Sequence, residues 1–173
     1  IYTVADALRV REFIQTCEYG EEVPVVEGVT ARFIDAGHLL GSASIKLTCH
    51  EGDETRTVVF SGDIGNVDQP IIRDPQFFDS ADYVLTESTY GDRNHTEVWS
   101  YTGQLAEIID ETLGKGGNVV IPSFAVGRTQ ELLYFIREIK DKNLVTSVKD
   151  FPVYVDSPLA KKATTIFCGD LRG

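Results

Sequence analysis

His38 and Asp63 are the two side chains in this chain best suited to act together. They sit in the segments Asp35-Ala36-Gly37-His38 and Phe60-Ser61-Gly62-Asp63. Each lies beside a glycine, where a backbone can turn sharply. An imidazole nitrogen and a carboxylate oxygen suit a hard-to-borderline divalent cation such as zinc. Taken singly, His38 reads as a satisfied core histidine and Asp63 as a turn-capping aspartate. Taken as a pair delivered to one strand end, they read as a site.

The elements that must deliver them are legible. Residues 43–50 alternate as a strand, residues 55–61 form the return strand, and Glu51-Gly52-Asp53-Glu54 supplies turn chemistry with Gly-Asp as a two-residue loop. That turn sets Ser42 opposite Asp63 and leaves His38 one short Gly-bounded loop away. His50 then falls at the turn, at the far end from His38. Upstream, Thr3 with Asp6 three places on opens a helix expected to run to about Cys17. Val23 to Val26 reads as an edge-type stretch, because Pro24 cannot donate to a ladder. Val29 to Ile34 reads as a strand. Residues 64–80 are rich in Pro and Asp and read as a long loop with a helical turn, and long ordered loops are often functional. Asp82 to Thr86 reads as a buried strand ending at Glu87.

The pattern then changes. Val98 to Leu113 is expected to be helical, Asn118 to Ile121 a strand, and Gly127 to Lys140 a helix. That last helix has an apolar side of Leu132, Leu133, Phe135, Ile136 and Ile139. Val153 to Val155 reads as a buried strand. Ser157 caps a final helix, with Pro158 at its first position. Such alternation predicts a mostly parallel sheet with crossover helices, whereas the first part is meander-like and antiparallel. A boundary is expected near residues 92–99.

The chain has 173 residues, 42% hydrophobic and 25% charged, the composition of a globular protein. It has no apolar run long enough to span a bilayer and no basic–apolar–small leader, so neither a membrane nor secretion is expected. Cys17, Cys49 and Cys168 are odd in number and widely spaced; burial in a reducing cytoplasm is the expectation. The net charge of −11 argues against a simple nucleic-acid binding module. It leaves room for an enzyme whose cleft is filled by cations. Methionine is absent, so Ile1 is not expected to be a translational start.

Three segments stand in order: Asp35-Ala36-Gly37-His38-Leu39-Leu40-Gly41-Ser42-Ala43, Phe60-Ser61-Gly62-Asp63-Ile64-Gly65, and Thr86-Glu87-Ser88-Thr89-Tyr90-Gly91-Asp92-Arg93. Together they resemble the β-CASP family of metallo-β-lactamase-fold hydrolases, which includes RNase J and the cleavage-and-polyadenylation endonuclease subunit. Residues 122–131 and 153–160 look like the first part of that family's cap domain. The resemblance implies an α/β protein. Residues 1–97 would be part of a metallo-β-lactamase-type αββα sandwich, and residues 98–173 the first βα units of a β-CASP cap.

By this resemblance His38 ligates one zinc, Asp63 bridges two, and Glu87 orients a histidine by hydrogen bonding. The implied reaction is hydrolysis of RNA phosphodiesters, with two metals activating a bridging hydroxide and stabilising the leaving oxygen. The family's His-x-His-x-Asp-His ligand motif is not in this chain, whose three histidines, His38, His50 and His95, are far apart in sequence. A catalytic zinc takes about three protein ligands plus water, so the centre is expected to be incomplete in a stretch of a longer enzyme. Such a stretch is expected to be inactive alone. Manganese in place of zinc, and endo- or exonucleolytic action, both stay open.

Arg128, near a helix N-terminus that favours anions, is a candidate for holding a phosphate, with an ordinary ion pair equally expected. Ser88 and Thr89 lack a histidine base and are weak nucleophile candidates. Tyr90 is expected to pack, Asp156 to cap a helix, and Lys161 and Lys162 to be solvated. Trp99 is expected in the core, with base stacking as the alternative. Two other functions compete with the nuclease: a non-catalytic β-CASP scaffold, and a hydrolase of the same fold acting on another ester. A homodimer is a further expectation, because apolar surface is expected to be exposed.

Overall fold

The computed structural model describes residues 2–93 and 101–169. The chain divides into two compact units. The first comprises Ile1–Gly37, Gly41–Gly65 and Pro75–Glu87, and the second comprises His38–Leu40, Asn66–Asp74 and the chain from Ser88 on. The expected boundary at 97/98, with His95 and Trp99, lies outside the described residues.

The first unit is a five-stranded sheet in the order β1-β2-β3-β4-β5: Glu22–Val26, Val29–Asp35, Ala43–Glu51, Glu54–Phe60 and Tyr83–Leu85. The first four strands form an antiparallel meander, and β5 joins β4 in parallel. β1 lies at the edge, where Pro24 is tolerated. The predicted turn forms: Glu51 pairs with Glu54, and Gly52 takes φ +59°. Glycine with positive φ at the first central position is what a type II′ hairpin requires. The register puts Ala31, Leu47 and Val58 in one row and Phe33, Ile45 and Phe60 in the next, giving the sheet an apolar face. The other face carries Arg32, Lys46 and Val59. There the Lys46 ammonium donates to the Ser80 carbonyl at 2.9 Å and lies over the Phe78 ring.

The N-terminal helix forms as capped but stops early. Thr3 and Asp6 make the expected capping box over α1, Val4–Arg9, and a 3₁₀ turn ends at Phe13 rather than Cys17. It buries no residue, so nothing tertiary supports a longer helix. Residues 64–80 contain no helical turn. β5 is a correction: it is three residues long and exposed throughout rather than buried, because it pairs only at the sheet edge.

Among its described residues the second unit is built on three helices, α2 Tyr101–Gly114, α3 Arg128–Asp141 and α4 Pro158–Phe167. Ala106 and Ile109 of α2 close around Ile139 of α3, which is fully buried, with Leu105, Leu113, Val119, Val145 and Phe151 around them. Of the apolar side expected on α3, only Ile139 is fully enclosed; Leu132, Leu133, Phe135 and Ile136 are half-buried. Ser157 caps α4 by accepting from the Ala160 amide, with Pro158 at the start, as read; Asp156 is exposed and is not the cap.

Residues 118–121 and 153–155 do not form the expected strands or the expected parallel sheet. Val120 and Tyr154 are each more than four-fifths exposed. An apolar run becomes a strand only when another strand takes its backbone groups, and none among the described residues does so. Two cysteines also depart from expectation: Cys17 and Cys168 are exposed and Cys49 is half-buried. Tyr90 is exposed rather than packed, with the Arg93 guanidinium over its ring.

Candidate functional site

Asp63 and Glu87 belong to the first unit, His38 and Arg128 to the second. Asp63 is exposed on residues 61–65, the loop that leaves β4. The β3–β4 ladder closes at Ile45–Phe60, and its register, carried on, sets Ser42 against Asp63 as the turn predicted.

Hydrogen bonds from three directions hold this loop. On its first residue, the Ser61 amide donates to the Leu85 carbonyl at 2.9 Å, and the Ser44 hydroxyl donates to the Ser61 carbonyl at 2.6 Å. The Ser61 hydroxyl donates to the Gly62 carbonyl at 2.6 Å and accepts from the Glu87 amide at 3.0 Å. On the far side of Asp63, the Ile64 amide donates to Glu87 Oε1 at 2.7 Å, and the Gly65 amide donates to the Ala36 carbonyl at 2.8 Å. Gly62 permits the turn: its φ is +59°, and a Cβ there would lie 3.0 Å from the Ala43 carbonyl oxygen.

Asp63 therefore stands exposed on a loop whose neighbouring backbone groups are already bonded to protein. An exposed carboxylate held this way can meet a cation with little further ordering.

Glu87 follows β5, and β5 is pinned at its start. The Asp82 carboxylate accepts from the Thr57 amide at 2.7 Å and from the Thr57 hydroxyl at 2.8 Å. These bonds, the backbone one foremost, hold the Asp82 pKa below the ordinary carboxylate value. The preceding loop is tied by Asp35. Its side chain accepts from the Gly37 amide at 2.9 Å, and its carbonyl accepts from the Gln76 amide at 2.8 Å.

In the second unit His38 is exposed. Its neighbour Leu39 reaches the start of α3, where a Cβ on Gly127 would lie 2.5 Å from the Leu39 Cδ2. Arg128 opens α3 and pairs with Glu131 at 2.5 Å, the ordinary ion pair weighed above. His50 lies on β3 opposite Thr55, its Nδ1 2.9 Å from the Thr55 hydroxyl. Among the described residues no group of three His, Cys, Asp or Glu side chains is placed to hold a metal ion. The described residues thus do not fit a metal centre by themselves.

Three polar residues act where the sequence assigned no role. Ser44 and Ser61 are buried and secure the Asp63 loop. Gln130 is buried at the start of α3: its Oε1 accepts from the Gly127 amide at 2.7 Å, and its Nε2 donates to the Ala125 carbonyl and the Thr164 hydroxyl. The only sequence signal among them was Ser61 beside Gly62 and Gln130 three residues after Gly127; Ser44 carried none.

A Beta-Casp domain family matches residues 129–171. A ribonuclease of Thermus thermophilus is 37% identical over 154 residues, covering 89% of this chain and 33% of the relative. The chain belongs to the β-CASP family. An RNase J-like protein of Methanocaldococcus jannaschii is 34% identical over 171 residues, covering 96% of the chain and 38% of that protein. An endoribonuclease of Schizosaccharomyces pombe is 30% identical over 168 residues, 96% of the chain and 21% of the relative. The chain thus spans between a fifth and two-fifths of the length of these β-CASP relatives. Among its described residues no helix is long and apolar enough to cross a membrane.

Proposed function

We propose that the protein carrying this chain is a zinc-dependent phosphodiester hydrolase that processes RNA in the cytoplasm, with Asp63 and His38 as two of its metal donors. The observation that carries the reading is the similarity of nearly the whole chain to proteins named as ribonucleases. The geometry supports it at Asp63, an exposed carboxylate on a loop fixed by bonds to both flanks.

Two zinc ions are proposed for the full-length site, with their other ligands beyond the described residues; bound there, they would supply the Lewis acid that phosphodiester hydrolysis uses. This chain's part is to present Asp63 and His38 and to hold the Asp63 loop through Ser44, Ser61 and Glu87. Arg128, exposed at the start of α3, is proposed to meet RNA phosphate when its pairing with Glu131 opens. The finer architecture is likewise proposed: an αββα sandwich through residue 97, a cap domain from 98, and a homodimer of the full-length protein.

The test is RNA cleavage by the full-length protein with added zinc, comparing the parent with Asp63→Ala. Loss of at least about a hundredfold in kcat is expected for removal of a carboxylate that binds a catalytic metal. Equal activity in the two would remove Asp63 from the site. An RNA-inactive parent that still binds its partners would favour the scaffold reading.

A further inference from the structure

The face of the sheet that carries Arg32 and Lys46 holds a cavity of about 270 Å³. It lies wholly within the first unit, lined by the strands and by residues 77–80. Arg32 and Lys46 are partners across β2 and β3. Like charges set opposite each other destabilise a sheet. In a chain of net charge −11 such a pair does not follow from a surplus of bases. Among the described residues neither cation is in an ion pair.

The carboxylates around the two cations are turned to other partners or to solvent. Glu22 faces Arg32 across β1 and β2, yet it accepts from the Thr30 hydroxyl at 3.2 Å. Asp82, whose charge interacts with that of Lys46, is bonded to the Thr57 amide and hydroxyl. Asp79 lines the cavity and is exposed. Lys46 gives one donor to the Ser80 carbonyl, and an ammonium has three.

Phe77 lines the same cavity and is 71% exposed. Its loop is tied on both sides. The Gln76 amide donates to the Asp35 carbonyl at 2.8 Å, and Gln76 Oε1 accepts from the Asp35 amide at 3.3 Å. Beyond Phe77, the Ser80 carbonyl accepts from Lys46 at 2.9 Å. A large ring left in water forgoes the gain of burial, and a loop pinned at both ends keeps it there. An aromatic face beside unpaired cations suits a nucleotide, with the base on the ring and the phosphate on the cations. The volume is at the small end of ligand sites and admits one such unit.

We propose that this cavity is a subsite for one nucleotide of a single-stranded RNA, with the base stacked on Phe77 and the phosphate held by Arg32 and Lys46. The inference deepens the RNA-hydrolase reading and rests on it. Stacking needs an unpaired base, so the strand is single. The cavity shares no residue with the Asp63 loop. It therefore holds the strand and takes no part in cleaving it. An acidic peptide would use the cations and leave the ring idle.

The experiment uses the full-length protein with Arg32→Gln, Phe77→Ser and Phe77→Trp. Arg32 and Phe77 are both exposed, so none of these changes empties a core. Lys46 is left intact because it ties Ser80. Binding of a labelled phosphorothioate oligouridylate, which resists hydrolysis, is read by fluorescence anisotropy over a range of salt. Cleavage of ordinary RNA gives kcat and KM. Phe77→Ser is expected to weaken binding on the order of tenfold, and Phe77→Trp to stay within about threefold of the parent. Arg32→Gln is expected to weaken binding and to lower the slope of log K on log salt by about 0.7, the share of one phosphate on a single strand. Phe77→Ser and Arg32→Gln should raise KM and leave kcat within about threefold of the parent.

Binding by Phe77→Ser and Arg32→Gln within about twofold of the parent overturns the proposal, and persisting cleavage then leaves the hydrolase reading standing. An unchanged salt slope in Arg32→Gln removes the phosphate contact and overturns it too. Loss with Arg32→Gln but not with Phe77→Ser overturns it as well, since the cations would then serve an anion of another class, such as an acidic peptide. Binding that depends on both side chains, in a full-length protein that cleaves no RNA, supports the subsite and sinks the hydrolase reading alone.

Discussion

Replacing Gly62 by alanine tests whether the Asp63 loop is held as tightly as its hydrogen bonds imply. Two costs add. Gly62 has φ +59°, and a left-handed backbone costs a residue with a Cβ about 1–2 kcal/mol. The new methyl would also lie 3.0 Å from the Ala43 carbonyl oxygen, closer than a Cβ normally approaches. That oxygen is backbone and cannot rotate away. The next residue, Ser44, is bonded to the Ser61 carbonyl, so movement at residue 43 strains the same loop. Forcing atoms into such a site costs roughly 1–3 kcal/mol. Gly41→Ala is the natural control: its φ is +79°, but nothing lies within 4 Å of the added atom.

Both variants gain the same small stabilisation from a less flexible unfolded chain, so that term cancels in the comparison. Gly62→Ala should therefore be less stable than Gly41→Ala by roughly 1–3 kcal/mol. For a unit of this size each kcal/mol lowers Tm by roughly 4–8 °C. The assay is thermal unfolding of the two variants and the parent in one buffer, with hydrogen exchange over residues 54–65 to locate the loss. Equal melting temperatures for the two variants would refute the reasoning, since the strained approach to Ala43 would then not exist.

Ile139→Ala should cost about 2–5 kcal/mol by leaving a cavity between α2 and α3, because Ile139 is fully buried against Ala106 and Ile109; an unfolding free energy from denaturant titration within about 0.5 kcal/mol of the parent would contradict that core. The Asp82 carboxyl should titrate below 3.8 when followed by NMR, because the Thr57 amide and hydroxyl favour its ionised form. Its folded pKa is depressed, so its contribution to stability is present above 3.8 and is lost as the pH falls through the folded value. Asp82→Asn should flatten the acid side of the stability profile, and a midpoint at or above 3.8 would count against the bond to Thr57.

How much could be read in advance depended on the range of the interactions. The β3–β4 hairpin was legible because Gly52 and the alternation on either side fix the register locally, and a one-residue slip would turn every side chain to the wrong face. The caps at Thr3 and Ser157 were legible for the same reason: each acts within three residues of itself. The order of the segments carrying His38, Asp63 and Glu87 was enough to suggest the family. Side-chain burial was much less legible. Tyr83-Val84-Leu85 and Val153-Tyr154-Val155 look alike as apolar runs, yet one is an exposed edge strand and the other is no strand. An apolar run states what it would gain by burial and not which partner is there to bury it.

The sequence by itself determined the local grammar: turns, caps, the hairpin register and the residue types able to meet a cation or a phosphate. Tertiary structure alone decided that Glu87 closes on Ile64, 23 residues earlier in the chain, and that the Ser61 hydroxyl accepts from the Glu87 amide, 26 residues later. The physical reason is that β5 enters the sheet in parallel beside β4, and a parallel pairing needs a crossover whose course no short-range pattern encodes.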